Sequence, residues 1–193
     1  MDIRSLIAKT RSYRRFDGNH TVDRKELLEL VELARLSGSS ANLQPLKYVI
    51  SCSREVNEKI FATLGWAGYL RDWPGPIAGE RPTAYIVILV DTNIRSAAGE
   101  DIGIATQSIM LGACERGLGG CMIGSVRREQ LRQQLGIPGH LDISFVLALG
   151  KPAEQVVIED LGEGRAVEYY RDAEGIHHVP KRCLQELVVK TFE

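Results

Sequence analysis

The chain has 193 residues, with 24 Lys and Arg against 25 Asp and Glu, a formal charge of −1, 44% hydrophobic and 25% charged residues. A globular chain of this length buries about 70% of its unfolded surface, so a single domain over 1–193 needs neither disulfides nor a structural metal. Interleaved acids and bases argue against a nucleic-acid face, and the longest apolar run, 84–90, is far too short for a membrane span, so the expectation is a cytoplasmic protein with no nucleic-acid or membrane partner.

Helices alternate with short strands along the chain. Residues 2–9 read as a helix with Ile3, Leu6 and Ile7 on one stripe. A stronger helix is predicted over 23–37, where Asp23 and Glu26 form a capping-box pattern and Leu27, Leu30, Val31 and Ala34 share one face. Gly38 is placed to end it as a left-handed cap. Residues 47–51 read as a strand and 55–64 as a helix with Val56, Ile60 and Leu64 aligned.

Over 65–82 proline and glycine recur too often for a helix or a central strand. A loop of that length is either a lid or binding loop presenting Trp66, Tyr69 and Trp73, or a surface excursion pinned by those aromatics. Residues 84–90, AYIVILV, are apolar throughout, as in a central strand covered on both faces. The helix predicted over 100–116 carries Gly103, Ala105, Gly112 and Ala113, which allow close helix contact. Glycines break it, and a strand at 121–123, a helix near 127–135, a strand at 140–149 and a terminal short helix or extended arm follow. This order reads as an α+β sheet covered by helices, with the strand order open.

Four features carry potential chemistry. Arg11-Ser12-Tyr13-Arg14-Arg15 sets three guanidinium groups beside a hydroxyl, a phosphate-binding set or a solvated basic turn. The stretch 38–45, GSSANLQP, offers hydroxyls and amides to a polar heterocycle or sugar chain, or is a capping turn. The glycines from 117 to 124 let backbone amides approach a flat ligand, although the G-x-G-x-x-G spacing of dinucleotide sites is absent. Lys181-Arg182 is a late basic pair, suited to an anion or simply solvated. Cys52, Cys114, Cys121 and Cys183 fit no C-x-x-C pair and read as reduced thiols, while His177 and His178 lack enough spaced partners for zinc and read as solvent-facing histidines in a turn. With no G-x-S-x-G elbow, P-loop or H-E-x-x-H motif, an enzyme built on this chain would take its hard chemistry from a cofactor.

In combination and in order, these segments resemble the FMN-dependent nitroreductase family: RSYRRF at 11–16, SGSSANLQP at 37–45, ERGLGG at 115–120 running into CMIGS at 121–125, LALGKP at 147–152 and VPKR at 179–182. The resemblance implies a mainly antiparallel central sheet covered by helices. It also implies an intertwined homodimer with two FMN sites at the subunit interface, and a dimer-packing role for the helix at 100–116.

Residue by residue, the resemblance implies that Arg11 and Ser12 hold the flavin phosphate and ribityl chain. Arg14 would lie near the phosphate or the pyrimidine side of the ring, where a cation stabilises the anionic reduced flavin. Gly38, Ser39 and Ser40, with Asn42 and Gln44, would contact flavin from the neighbouring subunit. Ile123 and Gly124 match the turn whose amides face the flavin N5 edge, and Lys181 and Arg182 fall on the phosphate. Two departures stand out: Thr10 occupies the place of the first of two arginines common in the family, and Gly38 replaces the usual proline.

The activity so implied is transfer of hydride from NADH or NADPH to FMN, then of electrons to nitroaromatic, quinone or related electron-poor small molecules in a ping-pong cycle. No metal and no catalytic side chain are implied, and Trp66, Tyr69 and Trp73 are placed to stack on the acceptor. The alternatives are a relative with other flavin chemistry, such as dehalogenation, enone reduction or oxygen-dependent flavin breakdown, or a flavin sensor or storage protein without turnover.

Overall fold

The computed structural model of the chain describes residues 1–162, 164 and 166–193. Helix α1 (Ile3–Lys9) is capped by Asp2, whose carboxylate accepts from the Ser5 backbone N–H at 3.0 Å. Helix α2 (Arg24–Leu36) carries the reciprocal capping box of Asp23 and Glu26 that its sequence announces. Its other end differs from expectation. The helix closes on Ser37, an extended residue whose hydroxyl donates to the Leu33 carbonyl at 2.8 Å, so Gly38 is not a left-handed cap.

Strand β1 (Leu46–Ser51) leads to α3 (Arg54–Phe61), which stops short of the predicted end because Leu64 leaves the helix to bridge Val126. After the loop at 65–82, broken only by a 3-10 turn at Ala78–Glu80, come β2 (Ala84–Asp91), α4 (Gly99–Glu115), β3 (Gly119–Ile123), α5 (Arg128–Leu135) and β4 (Leu141–Gly150). The four strands form one antiparallel sheet in the order β1-β2-β4-β3, so the fold is α+β as expected.

Side chains alternate across a pleated strand, and along β2 that alternation divides two cores. Ala84, Ile86 and Ile88 face α2 and α4, packing with Leu27, Leu30, Ile109 and Ala113. Tyr85, Val87 and Leu89 face the other way, onto Ile60 of α3 and Leu131 of α5. Every residue of the apolar run is buried because both faces are covered.

Three of the four small residues of α4 serve this core. Ala105, Gly112 and Ala113 are buried within the chain, and a Cβ on Gly112 would fall 2.1 Å from a Leu33 methyl of α2. Gly103 alone is exposed with open space around it.

Beyond β4, a second sheet absent from the sequence reading is built from β5 (Val156–Asp160), β6 (Tyr170–Arg171) and β7 (His177–Lys181), in the order β5-β7-β6. β5 and β7 are parallel while β6 is antiparallel to β7. His177 and His178 therefore lie in a strand and not in a solvent-facing turn. The pairing of β7 with both neighbours buries the first histidine to 1% exposure and half-buries the second. A short helix α6 (Leu184–Leu187) follows, and no helix among the described residues is long and apolar enough to cross a membrane.

Candidate active site

Downstream of α1 the chain runs extended beside β3. Ser12 bridges Gly120 in parallel, the Tyr13 N–H donates to the Gly120 carbonyl at 2.9 Å, and the Asp17 N–H donates to Lys151 O at 2.8 Å. Phe16, fully buried, anchors the segment against Gly150. The glycines at 119 and 120 make this approach possible. A Cβ on Gly119 would sit 2.5 Å from the Tyr13 ring, and one on Gly120 2.7 Å from the Ala148 carbonyl oxygen. The glycine run thus serves packing of the arginine segment on the sheet.

That placement brings Arg11, Ser12 and Arg14 to one cavity of about 300 Å³. α4 contributes Thr106, Gln107 and Met110 to its wall, β3 contributes Met122, and the second sheet contributes His177, Val179 and Lys181, with Tyr169 beside them. Arg14 is only 8% exposed. Its guanidinium lies 3.0 Å from His177 Nε2, donates to the Ser12 carbonyl at 3.2 Å, and rests over the Tyr169 ring at 4.5 Å.

Behind this wall the Glu154 side chain, 2% exposed, accepts from the backbone N–H of Arg14, from that of Arg15 at 3.1 Å, and from Arg171 at 2.9 Å. Burial, and next the positive charge of Arg14, push His177 down to about 4, so the ring is neutral at physiological pH. Arg11 donates through Nη2 to the Ile7 carbonyl at 2.8 Å at the end of α1. Arg11 Nε and His177 Nδ1 are buried with no hydrogen-bond partner among the described residues.

The cavity wall therefore presents hydrogen-bond donors and cations, with the Glu154 carboxylate already spent behind it. Beside them lie the apolar faces of Met110, Met122, Val179 and Tyr169. Such a wall suits a ligand that joins an anionic group to a flat apolar body.

Not every residue singled out in the sequence reaches this place. Gly38, Ser39 and Gln44 line a different hollow near the N-terminus of α4. There Asp101, 2% exposed, accepts from Ser39 Oγ at 2.7 Å and from the Ser40 N–H at 2.8 Å. The loop it holds is strained, with Ala41, Asn42 and Gln44 at φ of 50°, 54° and 52°. Asn42 and Gln44 are exposed.

Ile123 is buried in the core under the sheet, and Gly124 abuts the Phe145 ring, where a Cβ would lie 2.9 Å from it. Arg182 turns away to pair with Glu186 at 3.0 Å. In the 65–82 loop, Trp66 packs on Phe61 and against Gly75, and Trp73 lies under the Arg171 guanidinium at 4.8 Å. Tyr69, exposed, meets Tyr169 edge-on at 4.9 Å and so comes nearest to the cavity. The aromatics pin the loop, and Tyr69 and Trp73 pin it to the second sheet and its approach.

The sequence reading missed His177, Tyr169, Glu154 and Asp101. The i, i+2 spacing of His177, Val179 and Lys181 marks one face of a strand, which is the signal that would have found the histidine. Glu154 carries no such mark, because the backbone N–H groups it accepts from, those of Arg14 and Arg15, lie 140 and 139 residues away.

Residues 7–67 and 72–151 match the model of the nitroreductase family. A protein of Methanothermobacter thermautotrophicus carrying the provisional name NADH dehydrogenase/NAD(P)H nitroreductase is 29% identical over 169 residues, covering 83% of this chain and 83% of its own. Among solved structures, a nitroreductase family protein from Clostridium novyi NT has a TM-score of 0.66 at 23% identity, covering 79% of this chain and 86% of that one. An FMN-dependent nitroreductase from Clostridium difficile has a TM-score of 0.63 at 21% identity, covering 79% and 89% respectively. These two structures share the fold.

Proposed function

The chain belongs to the nitroreductase family, and from that premise we propose that it is an FMN-dependent oxidoreductase that draws electrons from NADH or NADPH and reduces nitroaromatic, quinone or related electron-poor small molecules. The observation that carries this reading is the cavity in which Arg11, Ser12, Arg14 and Lys181 converge, with Arg11 Nε and His177 Nδ1 buried and unpartnered among the described residues. FMN joins a phosphate to a flat ring, and this wall offers donors for the first and methionine, valine and tyrosine faces for the second, so the residues present fit the group. The names of the relatives, an NAD(P)H nitroreductase and an FMN-dependent nitroreductase, support the same cofactor and donor.

When bound, FMN would supply the two-electron redox chemistry of a ping-pong cycle between nucleotide and acceptor. The chain itself binds and orients. Arg11, Ser12 and Lys181 would hold the phosphate and ribityl chain, with Arg182 able to join them only by leaving Glu186. Arg14, held by His177 and Tyr169 in a buried wall, would stabilise negative charge on the reduced ring. Tyr69 is the loop aromatic best placed to stack on an acceptor.

A neighbouring copy completes the site in this proposal. The stretch carrying Gly38, Ser39, Ser40, Asn42 and Gln44 does not reach the cavity of its own chain, yet is held in a strained shape with two amide side chains exposed. That is what a loop presented to a second subunit requires. Ile123 and Gly124 would contribute through backbone amides alone, since the isoleucine side chain is core.

The test is an anaerobic visible spectrum of the purified protein supplied with FMN, before and after NADH and then NADPH, with sedimentation to read the oligomeric state. A flavin spectrum that bleaches with either nucleotide, on a dimer, is the expected result. A protein that takes up no flavin refutes the reading. A yellow protein that neither nucleotide bleaches transfers it to a flavin sensor or storage role.

A further inference from the structure

His177 and His178 are consecutive on β7 and face opposite ways. His178 is held between Asp172 at 2.9 Å and Glu159 at 3.3 Å, with the Tyr170 ring stacked on it at 4.7 Å. His177, with Val179 and Lys181, faces the cavity. Its depth is set by the backbone: the residue pairs with Val156 of β5, and its N–H donates to Gln155 O at 2.9 Å.

The chemistry of its neighbour decides its tautomer. A guanidinium has donors and no acceptor, so at 3.0 Å from Arg14 Nη1 the Nε2 atom of His177 can only accept. The neutral ring must then carry its proton on Nδ1. That atom is buried, on a residue 1% exposed, and no acceptor among the described residues meets it. A buried donor without a partner costs free energy unless something bound answers it. Arg14, Glu154, Arg171 and His178 act on the ring by charge and the Tyr169 phenol ring packs on it at 5.1 Å, and burial with Arg14 keeps it neutral.

We infer that His177 is a positioning residue for Arg14, its Nε2 fixing the guanidinium in the cavity wall while its Nδ1–H is kept for an acceptor atom of the bound flavin. The flavin half of this inference rests on the FMN reading above, whereas the Arg14 half concerns the free protein. A loose guanidinium would hold negative charge on the reduced ring less well. Replacement by phenylalanine keeps a ring and removes both nitrogens, while glutamine restores an amide oxygen able to accept from Arg14.

Two measurements test the inference. In the FMN-free protein, ¹⁵N NMR of His177 is expected to show a protonated Nδ1, a bare Nε2 and no titration above pH 5. An Nε2–H tautomer, or an ordinary titration near pH 6.5, overturns the inference whatever flavin does. In the second measurement, His177→Phe, checked for a native melting transition, is expected to bind FMN at least tenfold more weakly. It should also favour the reduced over the oxidised cofactor tenfold less, which is about 30 mV more negative for a two-electron couple. His177→Gln should recover most of both. Wild-type values in the phenylalanine variant, or equal losses in both variants, overturn the positioning role, the latter because mere packing would produce it. A wild-type protein that binds no FMN removes the flavin half, and the NMR result still decides the Arg14 half.

Discussion

Glu154 ties the arginine segment to the second sheet, so Glu154→Ala should loosen the cavity wall from behind. The carboxylate accepts from two backbone N–H groups, those of Arg14 and Arg15, and pairs with Arg171, itself 12% exposed at the side chain. Breaking a buried ion pair by removing one partner costs about 3–5 kcal/mol, because the remaining charge is stranded. The two orphaned N–H groups would each add about 1–3 kcal/mol if fully desolvated, but these contributions overlap and water can enter the space left. A loss of about 4 kcal/mol is expected, which for a chain of this size lowers Tm by roughly 8–16 °C.

Urea unfolding at constant slope is the assay, with Glu154→Gln as an intermediate case, since an amide oxygen still accepts from the backbone while losing the charge for Arg171. A loss below about 1 kcal/mol for the alanine variant would refute the claim that this carboxylate clamps the wall.

His177 makes stability depend on acidity. Its folded pKa, about 4, lies below the ordinary 6.5, so the unfolded chain binds the proton first and stability is lost as pH falls through that window. At about 1.4 kcal/mol per unit the loss reaches roughly 3 kcal/mol by pH 4, and the difference between wild type and His177→Phe in urea melts from pH 7 to 4 isolates it. A difference that does not change with pH would show that the ring is protonated as readily folded as unfolded. Asp101→Ala leaves Ser39 Oγ and the Ser40 N–H without their acceptor. It should cost about 2 kcal/mol and speed amide hydrogen exchange across 39–44, with core amides of β2 as the control. Gly120→Ala drives a Cβ against the Ala148 carbonyl oxygen of the partner strand. It should destabilise by about 1–3 kcal/mol in chemical denaturation and weaken the bridge to Ser12.

The elements nearest in sequence were the most legible. The capping box of α2 and the fully apolar run of β2 each encode their structure in a few adjacent residues, and both appear as read. The errors arose where a distant contact wins. Gly38 is not needed as a left-handed cap because Ser37 back-bonds to its own helix and meets Ser108 of α4 at 2.7 Å. The small residues of α4 announced close helix contact, but not that its partner at Gly112 would be the Leu33 side chain of α2. The aromatics of the 65–82 loop were visible, but not that Trp73 would meet Arg171 and Tyr69 the Tyr169 ring.

The candidate site divides in the same way. By itself the sequence determined the basic segment, the glycines that let it lie against a sheet, and the family to which these motifs in their order belong. Local residue chemistry is enough for that. Only the tertiary structure decided that Arg11, Ser12 and Arg14 share a cavity with Lys181, that Arg182 does not line it, and that a histidine taken for a surface residue is buried against Arg14. The reason is physical: burial, tautomer and charge environment are properties of what the chain brings together. His177 stands 163 residues from its partner, brought to it by the pairing of a second sheet whose strand order no local pattern encodes.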